Sequence, residues 1–206
     1  LKRVYRHRHL IGVLARRELK AQYAQTVLGI LWAAIKPAIA LAIFPLFFDS
    51  FIDLGDQMAT PYPLFAFTGM VSWYFFTFLI IQGGASVTHA LDLILMMYFP
   101  KLVVPRCMVL VGLVVLGISL GMLVALMVFW GLVPGWQVVF LPLFLLANIV
   151  IGFTVGMWLA ALAVRYRDIS HLLPYLVSFL IWLTPVFYPA TIVPERYAFL
   201  LKLNPL

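Results

Sequence analysis

The sequence predicts an all-α membrane protein of a single domain: an N-terminal amphipathic interface helix followed by five transmembrane helices. Three observations predict it. Of 206 residues, 65% are hydrophobic and only 10% charged, where a soluble domain carries about 25% charged residues. The mean hydropathy is +1.09. Uncharged runs are long enough to cross a bilayer, which takes about 20 mostly apolar residues per helix. They lack the strict alternation of a membrane barrel. A water-soluble enzyme and a nucleic-acid module are excluded by the same balance, despite a net charge of +7. The lone Cys107 excludes an internal disulfide framework. No secretory leader is expected, because no short apolar segment with a small-residue cleavage site follows the basic N-terminus.

Residues 10–25 come first. Ile11, Ala15, Leu19 and Tyr23 recur every four residues, and Arg16, Arg17 and Lys20 lie off that stripe. Such a helix lies in a membrane surface with its bases toward anionic headgroups or an acidic partner. The first span is expected at 26–48. Lys36 is its one internal charge, about 15 Å in at 1.5 Å per residue. It either snorkels to the cytoplasmic headgroups or faces a cavity.

The second span is expected at 63–84, with Gly83-Gly84 marking its end. Its aromatic run Trp73-Tyr74-Phe75-Phe76 reads as an interface belt or as lining for a path along which sugar rings stack. A long cytoplasmic turn follows at 85–101, with polar Ser86, Thr88, His89 and Asp92 among apolar residues. It needs cover from the membrane or from a docked soluble subunit.

Between Arg106 and Arg165 stand 58 uncharged residues, too many for one span. Val133-Pro134-Gly135-Trp136-Gln137 divides them, giving spans at 107–131 and 138–164. Gly117-x-x-x-Gly121 and Gly152-x-x-x-Gly156 allow close helix approach. Arg165-Tyr166-Arg167-Asp168 forms the second cytoplasmic turn, a stop signal or a docking knob. The fifth span is expected at 172–189. Over 184–206, Pro185, Pro189 and Pro194 interrupt helical pairing, and a short amphipathic helix near 194–203 sits at the outer boundary. The stop at Asn204-Pro205-Leu206 suggests a missing last segment.

Orientation follows from Lys and Arg placement. Eleven of these residues fall in 1–25 and the two turns, against Arg196 and Lys202 on the other side. The N-terminus is therefore expected in the cytoplasm, in a multi-pass cytoplasmic-membrane protein.

The chain lacks a GxxxxGK[ST] phosphate loop, HExxH, CxxC and GxSxG. Its seven acidic residues include no intramembrane pair, so neither acid–base catalysis nor ion coupling has an evident seat. Energy for uphill movement has to come from another polypeptide.

Several blocks in order resemble the permease subunit of ABC-2-type polysaccharide exporters, the O-antigen, capsule and teichoic acid exporters. They are Arg17-Glu18-Leu19-Lys20 with Tyr23 and Gln25 to Trp32; Pro61-Tyr62-Pro63-Leu64-Phe65 with Gly69 and Trp73; Tyr98-Phe99-Pro100-Lys101-Leu102 with Pro105; Val164 to Asp168 with Leu173-Pro174; and Pro185-Val186-Phe187-Tyr188-Pro189, Val193 to Tyr197 and Leu203-Asn204-Pro205. Together they cover roughly residues 10–206.

The resemblance implies a six-span permease, here without its last span, working as a homodimer with two nucleotide-binding ATPase subunits. This chain then needs no cofactor; the ATPase holds ATP and Mg. Contacts to the ATPase fall on Arg16, Arg17, His89, Asp92, Tyr98, Arg165, Arg167 and Asp168. The first and fifth spans line the path. Trp32, Lys36, Tyr74, Phe76, Phe179 and Trp182 are the candidates there for a lipid-linked glycan. Pro189, Pro194, Glu195 and Arg196 fall in the outer gate. The family commonly has glutamine where Lys36 stands, and basic residues where Met96 and Met97 precede the Tyr-Phe-Pro run. The alternatives are export of a small hydrophobic compound and, from another class, an intramembrane glycosyl- or phosphotransferase.

Overall fold

A computed structural model describes residues 8–24, 26, 28–52, 61–89, 103–166 and 168–187. Every regular element among them is helical. Six α-helices follow in order: α1 (Arg8–Tyr23), α2 (Trp32–Ile52), α3 (Tyr62–His89), α4 (Val103–Phe129), α5 (Leu141–Arg165) and α6 (Asp168–Leu183). Short 3₁₀ turns at Gly29–Leu31 and Trp136–Phe140 lead into α2 and α5. Among the described residues, three stretches are long and apolar enough to cross a membrane: Tyr62–Ser86, Val103–Phe129 and Trp136–Arg165. The apolar part of α2, Trp32–Ile43, and α6 are shorter.

The helix boundaries have local causes. After α1, the Thr26 hydroxyl donates to the Tyr23 carbonyl at 2.9 Å. Gly29 then takes φ +52, a left-handed conformation that glycine adopts without steric cost. The helix after α1 therefore starts at Trp32 rather than at 26. The long uncharged run divides where expected. Gly131 sits at φ +64, the Leu132 amide donates to the Met127 carbonyl at 2.9 Å and the Gly131 amide to Val128 at 3.1 Å. That pair of bonds closes α4 in a Schellman motif.

α3 is the central helix, packed against α2, α4, α5 and α6. Its core positions run all round it. Tyr62, Ala66, Met70, Trp73, Phe76 and Ile80 join Leu173, Val177, Val186 and Phe187 in one cluster. Phe67, Val71, Phe75 and Leu79 join Leu116 in another. A helix apolar on every side is an interior helix. This corrects the reading of residues 73–76 as an interface belt: Trp73, Phe75 and Phe76 are buried, and only Tyr74 is exposed.

The reading of Gly83-Gly84 as a helix end is also corrected, since α3 runs through both to His89. Tertiary contact is the reason. A Cβ on Gly83 would stand 3.4 Å from the Gly156 Cα, and one on Gly84 would stand 3.1 Å from a Leu173 methyl. The gain from close packing outweighs the roughly 1 kcal/mol that glycine costs inside a helix. Gly152 and Gly156 supply the other half of this contact on α5. A Cβ on Gly156 would lie 2.8 Å from the Leu79 carbonyl oxygen. The second glycine pair behaves differently: nothing lies within 4 Å of a Cβ on Gly117 or Gly121.

Three residues of the expected α1 stripe, Ile11, Ala15 and Leu19, pack on the chain itself, and Tyr23 is outside that cluster. Ile11, Leu14, Ala15 and Leu19 pack with Cys107, Met108 and Val111 of α4 and Phe78 of α3.

Candidate coupling segments and translocation surface

Exposed basic residues stand on α1 and at the end of α5. Arg16 and Arg17 are exposed on α1, opposite the stripe that packs on α4. Arg165 is the last residue of α5 and is exposed. Its guanidinium carbon lies 5.4 Å from the centroid of the adjacent Tyr166 ring, within cation–π range. Tyr166 takes an extended backbone, and its amide closes the last turn on Leu162. Asp168 opens α6 as an exposed residue of its first turn, where a carboxylate meets the positive end of the helix dipole. His89 is the last residue of α3. The His89 and Lys36 side chains, and Asp92, Tyr98, Arg167, Pro189, Pro194, Glu195 and Arg196, lie outside the described residues.

The six residues expected along a path fall into separate places. Phe76 is 8% exposed. Its ring lies 6.3 Å from that of Trp73 and 3.4 Å from where a Cβ on Gly152 would stand. It is a core residue with no surface to offer. Phe179 and Trp182, in contrast, are 66% and 55% exposed on α6. Lys36 lies on α2, and Trp32 opens that helix, partly exposed. Tyr74 is 40% exposed and borders a cavity of about 340 Å³ between α1, α2, α3 and α4. That cavity uses the α3 face carrying Val71, Tyr74, Phe75 and Phe78. α6 packs on another face, through Leu173 and Val177 against the Met70 and Trp73 cluster.

On α6 the sequence reading missed two residues. His171 and Tyr175 are exposed, Tyr175 by 76%. They precede Phe179 and Trp182 at intervals of four, four and three residues. Positions so spaced share one side of a helix. The result is a continuous outward stripe of three aromatic rings headed by an imidazole. The signal was the i, i+4 spacing itself, hidden because the whole segment is apolar. The Ser178 hydroxyl donates to the Pro174 carbonyl at 2.7 Å, so this polar group on the exposed side is satisfied within its own helix.

Beyond α6, the chain turns back against α3. The Tyr62 hydroxyl donates to the Phe187 carbonyl at 2.8 Å in a buried contact, and a Cβ on Gly69 would lie 3.1 Å from both the Val186 carbonyl oxygen and a Val186 methyl. The Pro61–Trp73 block and the Pro185–Phe187 block, distant in sequence, are thus neighbours in space. Tyr23, at the end of α1, has its phenol pushed above its usual pKa by burial.

The chain matches the ABC-2 type transporter family over residues 9–206. It belongs to that family. The chain is 29% identical over 208 residues to the O-antigen export system permease protein RfbA of Myxococcus xanthus, covering 100% of this chain and 79% of that one. Two Klebsiella pneumoniae proteins of the same name are 23% and 22% identical over 199 residues, each covering 96% of this chain and 75% of the relative. This ABC-2 chain is thus a membrane transport protein with several apolar helices.

Proposed function

We propose that this ABC-2 chain is the membrane permease subunit of an ATP-driven exporter that moves a lipid-linked, O-antigen-like polysaccharide across the cytoplasmic membrane. The family match over residues 9–206 carries the reading, and the names of the three relatives support the cargo class. In this reading residues 1–206 are one transmembrane domain. Helices α2 to α6 are its five spans, and α1 is an interface helix with the N-terminus in the cytoplasm. Two copies pair, and two ATPase subunits supply ATP and Mg from the cytoplasm.

Arg16, Arg17, His89, Asp92, Tyr98, Arg165, Arg167 and Asp168 transmit ATPase movement to the helices. Exposure of Arg16, Arg17, Arg165 and Asp168 supports that role, since a docking side chain has to be reachable. Trp32, Lys36, Tyr74, Phe179 and Trp182 contact the cargo, joined by Tyr175. Aromatic rings suit this task, because apolar sugar faces stack on them without the desolvation cost of fixed polar contacts. Pro189, Pro194, Glu195 and Arg196 gate the outer mouth.

The test is reconstitution. The chain purified without its ATPase should hydrolyse no ATP, and with the ATPase it should do so faster when lipid-linked glycan is added. Hydrolysis by the chain alone overturns the division of labour. Stimulation by small hydrophobic compounds but not by the glycan overturns the cargo.

A further inference from the structure

A groove of about 410 Å³ runs between α4 and α5, lined by Arg106, Val109 and Leu110 of α4, Ile149 and Phe153 of α5, and Ile11 of α1. It shares no residue with the cavity beside Tyr74. Its cause lies in how the two helices sit on α3. Gly152 and Gly156 draw α5 onto Leu79 and Gly83, while α4 approaches Phe75 and Phe78 through Gly112. Held on different faces of α3, α4 and α5 leave a furrow between them.

The depth of the groove follows from the same contacts. Leu116 lies among Phe67, Val71 and Phe75, and Gly112 meets Phe75 and Phe78, so α3 and α4 run antiparallel. Arg106, six residues before Gly112, is therefore level with about Gly83. Gly83 stands 21 residues beyond Tyr62, where the apolar stretch of α3 begins. That is roughly 30 Å at 1.5 Å per residue, the thickness of the hydrocarbon core. The Arg106 head thus reaches the boundary between hydrocarbon and headgroups with its stem along the apolar wall. Val109, Leu110 and Phe153 lie about a turn deeper.

One polar group stands in this lining. Arg106 is half-buried, and its five companions are apolar. Among the described residues no carboxylate lines the groove. α1 packs on Cys107, Met108 and Val111 instead. Its one acidic residue, Glu18, stands seven residues from Ile11, about 10 Å along that helix. Arg106 also falls in the first turn of α4, where the helix dipole adds positive potential.

A sugar in the groove would leave most of its hydroxyls unpaired. An acyl chain fits the apolar wall, and a guanidinium holds a phosphate through two parallel hydrogen bonds. Basic pockets between membrane helices on the cytoplasmic side suit anionic headgroups. A choline headgroup suits them less, because it carries its own cation beside the phosphate.

We infer that this groove binds an anionic phospholipid of the cytoplasmic leaflet, with its phosphate on Arg106 and one acyl chain along Val109, Leu110, Ile149 and Phe153. The inference rests on the spans and orientation of the proposed reading and not on its cargo.

The experiment uses the full chain with its ATPase partner in phosphatidylcholine nanodiscs. Phosphatidylglycerol carrying a diazirine on its acyl chain is photolysed at low mole fraction, and the labelled residues are mapped. Label is expected on Leu110, Ile149 and Phe153, several-fold above Leu143 and Trp158, which are exposed elsewhere on α5. A matched phosphatidylcholine probe should label the groove about fivefold less, the effect of one basic residue at a membrane surface. Arg106→Gln should remove that preference, and Arg106→Lys, which keeps the charge, should retain most of it. Equal labelling of the groove by both headgroups in the wild-type protein overturns the phosphate contact, and this readout needs no variant. Label spread evenly over α5, or absent from the groove because another helix covers it, overturns the lipid site. Glycan-stimulated ATPase activity is read on the same discs, so failure of the export reading and failure of the lipid site are told apart.

Discussion

The Tyr62 hydroxyl and the Phe187 carbonyl, 125 residues apart, are joined by a buried 2.8 Å hydrogen bond. It ties the first turn of α3 to the segment that follows α6. Tyr62→Phe keeps the ring and removes the donor. A buried hydrogen bond contributes about 1 kcal/mol net. The variant should therefore unfold a few degrees lower in detergent, with an unchanged elution profile, as read by size-exclusion thermostability.

The two glycine pairs should respond in opposite directions. Gly156→Ala drives a methyl to within 2.8 Å of the Leu79 carbonyl oxygen. Backbone cannot move aside cheaply, so α3 and α5 have to separate, at a cost of about 1–3 kcal/mol. Gly117→Ala meets nothing within 4 Å and should leave stability unchanged or raise it by up to about 1 kcal/mol. Thermal unfolding of both in one detergent checks the contrast.

Phe179 and Tyr175 are exposed, so replacing either by Ala should change stability by less than about 0.5 kcal/mol. Export should fall with each replacement. A lost aromatic contact of about 1 kcal/mol corresponds to roughly fivefold, and the double variant should fall further. Surface glycan per unit of membrane-inserted protein is the measurement.

For the coupling turns, Asp92→Ala and Arg167→Ala should insert normally yet lose export and glycan-stimulated ATPase activity. Normal coupling in both removes them from the docking surface.

Lys36→Gln should fold and insert normally. A fall in export then separates a path-facing lysine from one that only snorkels, for which export stays unchanged.

The positions of the helices were legible in the sequence because long uncharged runs leave little choice, and the Pro134-Gly135 break falls beside the Schellman turn at Gly131. Local residue types misled where tertiary contact decides. Gly83-Gly84 reads as a terminus, yet it is a contact point for Gly156 and Leu173. Trp73, Phe75 and Phe76 read as a belt, yet the helix that carries them is interior. The motifs around Gly117 and Gly152 are indistinguishable by spacing, and only the neighbouring helix tells a filled groove from an open one. The α6 stripe was half found through Phe179 and Trp182. In a uniformly apolar segment, polarity does not mark which side faces out. Nothing in the sequence pairs Tyr62 with Phe187, since a hydroxyl's partner so far along the chain is set by the fold.

The backbone-to-backbone meeting of Gly83 with Gly156 also bears on movement. Two helices touching without intervening side chains have no compliant layer between them. His89 lies six residues beyond Gly83, and Arg165 nine beyond Gly156. A force applied at either tip is therefore shared by both rods within two or three turns. The pair behaves as a yoke, and any hinge that opens this protein has to lie elsewhere, in the lighter attachments of α1, α2 and α6.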